Sequence, residues 1–358
     1  MKTPRRPSMS MHDKQARERL GDALFRYMQG QPADALADEP DANQQALRRY
    51  RLLPRILQGN TTISTQTALL SQCWSAPLGV GAFAGDRLFH EEGLLPIARA
   101  CRRLQLPLVI SEETVTPLEQ IGAAYERCWL QLRAAGDVGR IKALIDRAAQ
   151  AGMQHIVLTV LAPVHPVAGL QPGGFSVGDA LKQRGWRTIG GSEPGVAALP
   201  AFPVWRWQQI SEVAAHCAAR RLPLWLKGIL HAEDAAQAAQ HGVSGIIVSN
   251  IGLRQSARWA TPVDQLADLQ AATPLPLLLD GGVRCGSDAV VARCLGATLS
   301  LSVRPVVSAL CAGGESAVFD LLSGWINEVS AISHWCGVSE MAALNRTFIS
   351  EVDNGCIG

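Results

Sequence analysis

Three short stretches combine residues that seldom share an apolar setting unless they meet a ligand. Lys227 closes the run Pro223-Leu224-Trp225-Leu226, where a buried ammonium is costly unless it serves an anion or an electron-rich ring. Asp280-Gly281-Gly282-Val283-Arg284 follows another apolar run. Its paired glycines let backbone approach a ligand closely, and Arg284 supplies a planar, multi-donor fork suited to phosphate. Arg304-Pro305, after a third run, would bring a second guanidinium to the same corner. The bland alternatives are a lysine snorkelling to a barrel mouth and a turn-forming Asp-Gly-Gly beside a surface arginine.

Eight apolar runs of five or six residues must position these groups: 77–82, 107–111, 128–132, 155–160, 223–227, 245–249, 276–280 and 298–302. Each is nearly continuous in apolar character, as parallel strands covered on both faces are. Between them lie Ala-rich helical segments, several closing on a glycine (Gly152, Gly242, Gly296) where a helix end takes the left-handed conformation. Eight βα units predict a closed TIM-type (β/α)₈ barrel, with an open doubly wound sheet as the competing arrangement. In such a barrel the loops after strands seven and eight commonly receive phosphate, which fits Arg284 and Arg304. Residues 161–207, rich in Gly, Pro and Trp, form a long insert after strand four, on the face where a lid or substrate loop belongs.

The expected division is a mobile polar tail over residues 1–20 and a helical entry segment over 21–76. The barrel follows over 77–350, and a short tail over 351–358. The 358 residues are 47% hydrophobic and 18% charged with a formal net charge of +2, which gives no basic field for nucleic acid or an anionic membrane. Nine cysteines without a CxxC pair fit reduced thiols and a cytoplasmic setting, and suggest no metal site. The first residues contain an Arg pair but no apolar stretch behind it, and no run of eighteen apolar residues occurs, so neither a secretion signal nor a membrane span is expected.

The stretches PLWLKGILHAEDAAQAAQHGVSGIIVSN, LLLDGGVRCGSDAVVARCLGA and VRPVVSALCAGGE resemble the FMN-dependent α-hydroxy-acid oxidases and dehydrogenases, such as glycolate and lactate oxidases. Weaker likenesses are LLPRIL at 52–57, APLGVGAFAGDRLFHEEG at 76–93 and WLQL at 129–132, so that the resemblance runs over roughly residues 21–350. It implies FMN as cofactor, with Lys227 near the ring, stabilising the negative charge of reduced flavin. It further implies that Asp280, Gly281, Gly282, Arg284 and Arg304 hold the ribityl chain and phosphate. Ser111, Gln131, Thr159 and Ser249 would hydrogen-bond the ring or ribityl hydroxyls, and Ala82 to Ala84 would lie against the ring. Val303 stands where the family has a glycine and would crowd the phosphate. Resemblance also suggests a homo-oligomer and a small-molecule or carrier-bound carboxylic substrate.

The departures gather at the substrate side. The family's run SNHGxRQ reads here Ser249-Asn250-Ile251-Gly252-Leu253-Arg254-Gln255, so isoleucine replaces the proton-accepting histidine. Leu161 replaces the aspartate that orients that histidine, and the pair has gone as a unit. Arg254 and Tyr27 keep the family's carboxylate-binding and substrate-contacting positions. Arg133 replaces a tyrosine, Ala168 falls near a second carboxylate-binding arginine, and Glu113 and His165 fall at lining positions that are usually apolar.

Two readings follow. One is a rebuilt flavoenzyme in which Glu113 or His165 accepts the proton and Arg133 with Arg254 grips an anionic substrate. The other is a noncatalytic FMN-binding or scaffold protein; a flavin-dependent non-redox enzyme such as an isomerase is a further possibility. A Glu113–Arg133 salt bridge would remove both as free groups, and His165, between prolines, is equally well explained as a solvated loop histidine.

Overall fold

A computed structural model describes residues 10–30, 41–59, 62–161, 175–191 and 205–352. The chain enters through α1 (Met11–Gln29), α2 (Ala42–Arg48) and β1 (Tyr50–Leu52), then a hairpin of β2 (Thr67–Leu69) and β3 (Gln72–Trp74). Eight strands follow: β4 (Leu78–Val80), β5 (Leu108–Ser111), β6 (Cys128–Arg133), β7 (His155–Thr159), β8 (Leu224–Ile229), β9 (Gly245–Ser249), β10 (Leu277–Asp280) and β11 (Leu299–Ser302). They pair in parallel, each with the next in sequence, and β11 returns to β4, so the sheet closes. The closed barrel is the expected one, and each strand falls within or beside its apolar run. Closure is what removes the open-sheet alternative, because it leaves no edge strand unpaired.

The helices that cover the barrel are α3 (Leu95–Leu104), α4 (Leu118–Ala124), α5 (Val138–Gln150), α6 (Val177–Gln183), α7 (Trp207–Ala218), α8 (Ala232–Gln240), α9 (Pro262–Ala272), α10 (Gly286–Cys294) and α11 (Arg304–Trp335). Strand residues such as Ile110, Leu158, Leu226, Ile246 and Leu278 are wholly buried, each contributing about 1.5–3 kcal/mol of apolar burial. At the start of β6, β7 and β8 the barrel is filled by Trp129, His155 and Trp225, against which Trp74 of β3 packs edge-on. Gly245 is required there, because a Cβ at that position would meet the Trp225 ring at 2.1 Å. The apolar α11 is broken at Gly313 and Gly314 and packs against α1 and α3 as a core helix.

Three expectations about segment boundaries need correction. Residues 11–20, assigned to a mobile tail, form the first half of α1. Ser10 caps that helix by accepting from Asp13 N at 3.1 Å, and Asp13 in turn accepts from Ser308 of α11 at 2.6 Å. The polar face that reads as a tail is therefore hydrogen-bonded to the barrel's last helix. The entry segment 21–76 is not all helical, since it holds β1, β2 and β3; β1 pairs antiparallel with β12 (Ile349–Glu351), which carries the ordered fold one residue past the expected boundary at 350. Within the insert 161–207, the described part contains α6, capped by Ser176.

Candidate active site

The C-terminal ends of the barrel strands open into a cavity of about 280 Å³. Its floor is polar although the strands below it are not. Lys227 on β8 is 6% exposed and reaches Asp280 on β10 with Nζ 2.8 Å from Oδ2. Ser249 on β9 donates to the same oxygen at 2.7 Å. Gln131 on β6 donates to Thr159 on β7 at 3.0 Å. Each of these residues lies within two positions of its strand's C-terminal end, the face of the barrel on which the cavity opens. Breaking the buried Lys227–Asp280 pair from either side would leave the remaining group buried without its partner.

Opposite the floor, Arg254 follows a short 3-10 turn over Ile251–Leu253. Its guanidinium stacks over Tyr27 of α1 at 4.5 Å from the ring centroid, and its Nη1 is buried without a hydrogen-bond partner among the described residues. Burial raises the Tyr27 phenol above its usual pKa, against the opposing pull of Arg254. Ile251 holds φ at 54°, a left-handed conformation that strains a β-branched residue. Its N–H donates to Ser249 Oγ at 3.0 Å.

The rim between β5 and β6 carries a charge cluster. Arg133 Nη2 lies 3.2 Å from Glu113 Oε1, and Arg133 Nε lies 3.3 Å from Glu112 Oε1. Glu112, 1% exposed, also receives the Arg133 backbone N–H at 2.8 Å and Arg140 Nη2 at 2.6 Å. Glu113, then Glu112, raises the pKa of the Arg133 guanidinium, so it stays charged.

The basic corner lies beyond β10 and β11. Arg284 and Arg304 meet there, at the start of α11 for the latter. The anion between them is Asp41, the cap residue of α2, whose Oδ2 is 2.8 Å from Arg284 Nη2 and 2.5 Å from Arg304 Nη1. Burial alone would raise the Asp41 pKa, but Arg304, Arg284 and two backbone amides outweigh it and hold the carboxyl below its usual range. Burial lowers Arg304 to about 10 despite Asp41. Gly281 and Gly282, with φ at 130° and 86°, let the turn after β10 press on α2; a Cβ on Gly282 would lie 2.5 Å from the Asn43 carbonyl oxygen.

Of the residues singled out in the sequence, the cavity is lined by Tyr27, Ala82, Ala84, Ser111, Glu113 and Gln131 on one side. Arg133, Thr159, Lys227, Arg254, Asp280, Gly281, Gly282, Arg284 and Arg304 complete it. Ser249 is not a lining residue: it is wholly buried behind Asp280, which its hydroxyl orients. His165 and Ala168 lie outside the described residues. Val303 does line the cavity, with Cγ2 packed against Gly81. Cys285 is held above its usual pKa, at about 11, chiefly by burial. No group of three or more His, Cys, Asp or Glu placed to hold a metal occurs among the described residues.

Sequence reasoning missed Asp41, Asn43, Asn250, Glu112 and Arg140. Asn43 and Asn250 exchange reciprocal amide hydrogen bonds at 2.8 and 2.7 Å, tying the entry segment to the turn that carries Ile251. Asp41 and Gln44 do carry a local signal, a helix cap followed three residues later by Gln, but that signal speaks of α2 and not of the site.

A closed parallel barrel whose strand ends present a buried lysine, amide and hydroxyl groups and a two-arginine corner is a scaffold suited to binding a small ligand with an anionic end. The chain belongs to the FMN-dependent dehydrogenase family, whose pattern matches residues 16–351. It is 33% identical over 355 residues to 4-hydroxymandelate oxidase of Amycolatopsis orientalis, covering 95% of this chain and 97% of that one. It is 29% identical to 2-hydroxyacid oxidase 1 of Homo sapiens, over 97% of each chain. Mandelate oxidase with (S)-4-hydroxymandelic acid superposes with a TM-score of 0.82 at 32% identity, covering 95% of this chain and 98% of that one. The protein is accordingly an FMN-dependent oxidoreductase. The donor set suits the cofactor: Lys227 is a buried cation facing the cavity, Gln131, Thr159 and Ser111 offer neutral hydrogen-bonding groups, and Arg284 with Arg304 supplies the basic end.

Proposed function

We propose that the protein oxidises a small or carrier-bound carboxylic substrate that is not a simple 2-hydroxy acid, for instance an amino acid or a carbon acid activated by a neighbouring carbonyl. One observation carries this reading: the cavity keeps Arg254, with an unpartnered buried nitrogen, while Ile251 and Leu161 line it where the family has its proton-accepting pair. Isoleucine and leucine accept no proton, so hydroxyl deprotonation has lost its base. An anion-gripping pocket has been kept.

FMN, when bound, accepts the hydrogen and electron pair that leave the substrate's α-position. The chain's own residues supply the rest. Arg254 binds the substrate carboxylate, and Tyr27, stacked beneath its guanidinium, fixes that group's plane. Arg133, braced by Glu112, adds positive charge at the rim. Among the described residues, three carboxylates line the cavity. Glu112 is bound by Arg133 and Arg140, and Asp280 by Lys227 and Ser249, whereas Glu113 is held by Arg133 alone with a side chain 38% exposed, so it accepts the substrate proton by giving up the ion pair that otherwise removes it as a free group.

The test is anaerobic mixing of the FMN-loaded protein with panels of 2-hydroxy acids, 2-amino acids and acyl-activated acids. Bleaching of the visible flavin bands by a member outside the 2-hydroxy acids supports the reading. Flavin that stays oxidised through every panel would favour a noncatalytic FMN-binding protein.

A further inference from the structure

The two arginines that face the cofactor's phosphate end already hold an anion of the chain itself. Asp41 Oδ2 takes Arg284 Nη2 and Arg304 Nη1. Their other terminal nitrogens are also engaged, Arg284 Nη1 by the Val283 carbonyl at 3.0 Å and Arg304 Nη2 by the Gly252 carbonyl at 2.7 Å. All four terminal nitrogens therefore point at protein oxygens. Two guanidinium charges against one carboxylate leave a net charge of +1 at the corner. Each terminal nitrogen thus already spends an N–H on a protein oxygen, and an incoming phosphate dianion meets a like charge, Asp41, between the two guanidinium groups.

We propose that Asp41 is an internal competitor for the Arg284–Arg304 pair and sets the margin by which the site prefers FMN to riboflavin. The proposal rests on FMN being the cofactor and adds what this chain does to its affinity. Phosphate that takes the N–H bonds now facing Asp41 displaces the carboxylate, and phosphate bound beside it meets its like charge, so part of each charge-assisted contact is spent on exchange or repulsion rather than gained. Riboflavin, which has no phosphate, leaves the Asp41 contacts in place. Asp41 is thus a determinant of cofactor choice placed on the entry segment, outside the barrel that supplies the other cofactor contacts.

The experiment titrates the full-length protein, freed of flavin, with FMN and with riboflavin and follows flavin fluorescence. Wild type is compared with Asp41→Asn and Asp41→Ser. Both replacements retain a side-chain cap for α2, where Asp41 now accepts from Asn43 N and Gln44 N, so the helix start is preserved. Serine is too short to reach the arginines. The expected result is an FMN Kd tightened by roughly tenfold or more in both variants, with riboflavin changed by less than about threefold. Unchanged or weakened FMN binding in the variants overturns the proposal; weakening would make Asp41 a positioning residue for the arginines. Failure of every protein to bind either flavin would overturn the cofactor assignment along with it.

Discussion

Arg133 and Glu113 form an ion pair of 3.2 Å across the ends of two adjacent barrel segments, and Glu112 holds the same guanidinium from its buried side. The two glutamates are sequence neighbours with different surroundings: Glu112 is 1% exposed and bound to two arginines, whereas Glu113 opens to the cavity. Glu113→Gln is expected to lower kcat by roughly a hundredfold or more with little change in KM, as loss of a proton acceptor does, and Glu113→Asp to restore part of it. A change confined to KM would assign Glu113 to bracing Arg133 alone. Steady-state kinetics with the substrate found by anaerobic screening make the distinction.

Ile251 occupies a left-handed backbone position with φ at 54°. Histidine tolerates that region better than a β-branched residue does, so Ile251→His should fold without added strain. On its own it should leave turnover of mandelate or lactate within about tenfold of the parent, because Leu161 cannot orient the ring. Combined with Leu161→Asp, kcat/KM for these acids should rise by roughly a hundredfold. Equal effects of the single and double variants would show that orientation at residue 161 does not matter here.

His155, buried among Trp129 and Trp225, has its pKa pushed down to about 3 by burial, with a smaller contribution from Arg127. Unfolded chain would take up a proton near the ordinary value of 6.5, so the unfolded state binds more protons between these two values. The associated stability is fully present above 6.5 and is lost as pH falls through that window. Urea unfolding near pH 4.5 and near pH 7.5 should show wild type losing about 2–3 kcal/mol more than His155→Phe over that interval. Parallel losses in the two proteins would remove His155 as the source.

Much of this architecture is legible along the chain. Each barrel strand coincides with a five- or six-residue apolar run, because strands covered on both faces need apolar side chains in both directions. Lys227, Asp280, Arg284 and Arg304 are legible for the complementary reason, since charge at the end of such a run has to be answered by a partner. The absence of a base at Ile251 is a matter of chemical type alone, and no fold can supply a proton acceptor to an isoleucine.

What answers each charge was decided by tertiary structure. Asp41 lies 243 residues before Arg284 and 263 before Arg304, and no local pattern links them. Closing the barrel brings the turn after β10, the start of α11 and the cap of α2 to one corner, and only there does a helix-capping aspartate become the anion between two arginines. The same holds for Ser249, whose hydroxyl serves Asp280 rather than the cavity, and for residues 11–20, whose polar face is ordered by α11. Apolar periodicity is a local property because burial is decided residue by residue along a strand. Charge pairing is not local, since it depends on which distant segments the closed sheet forces together.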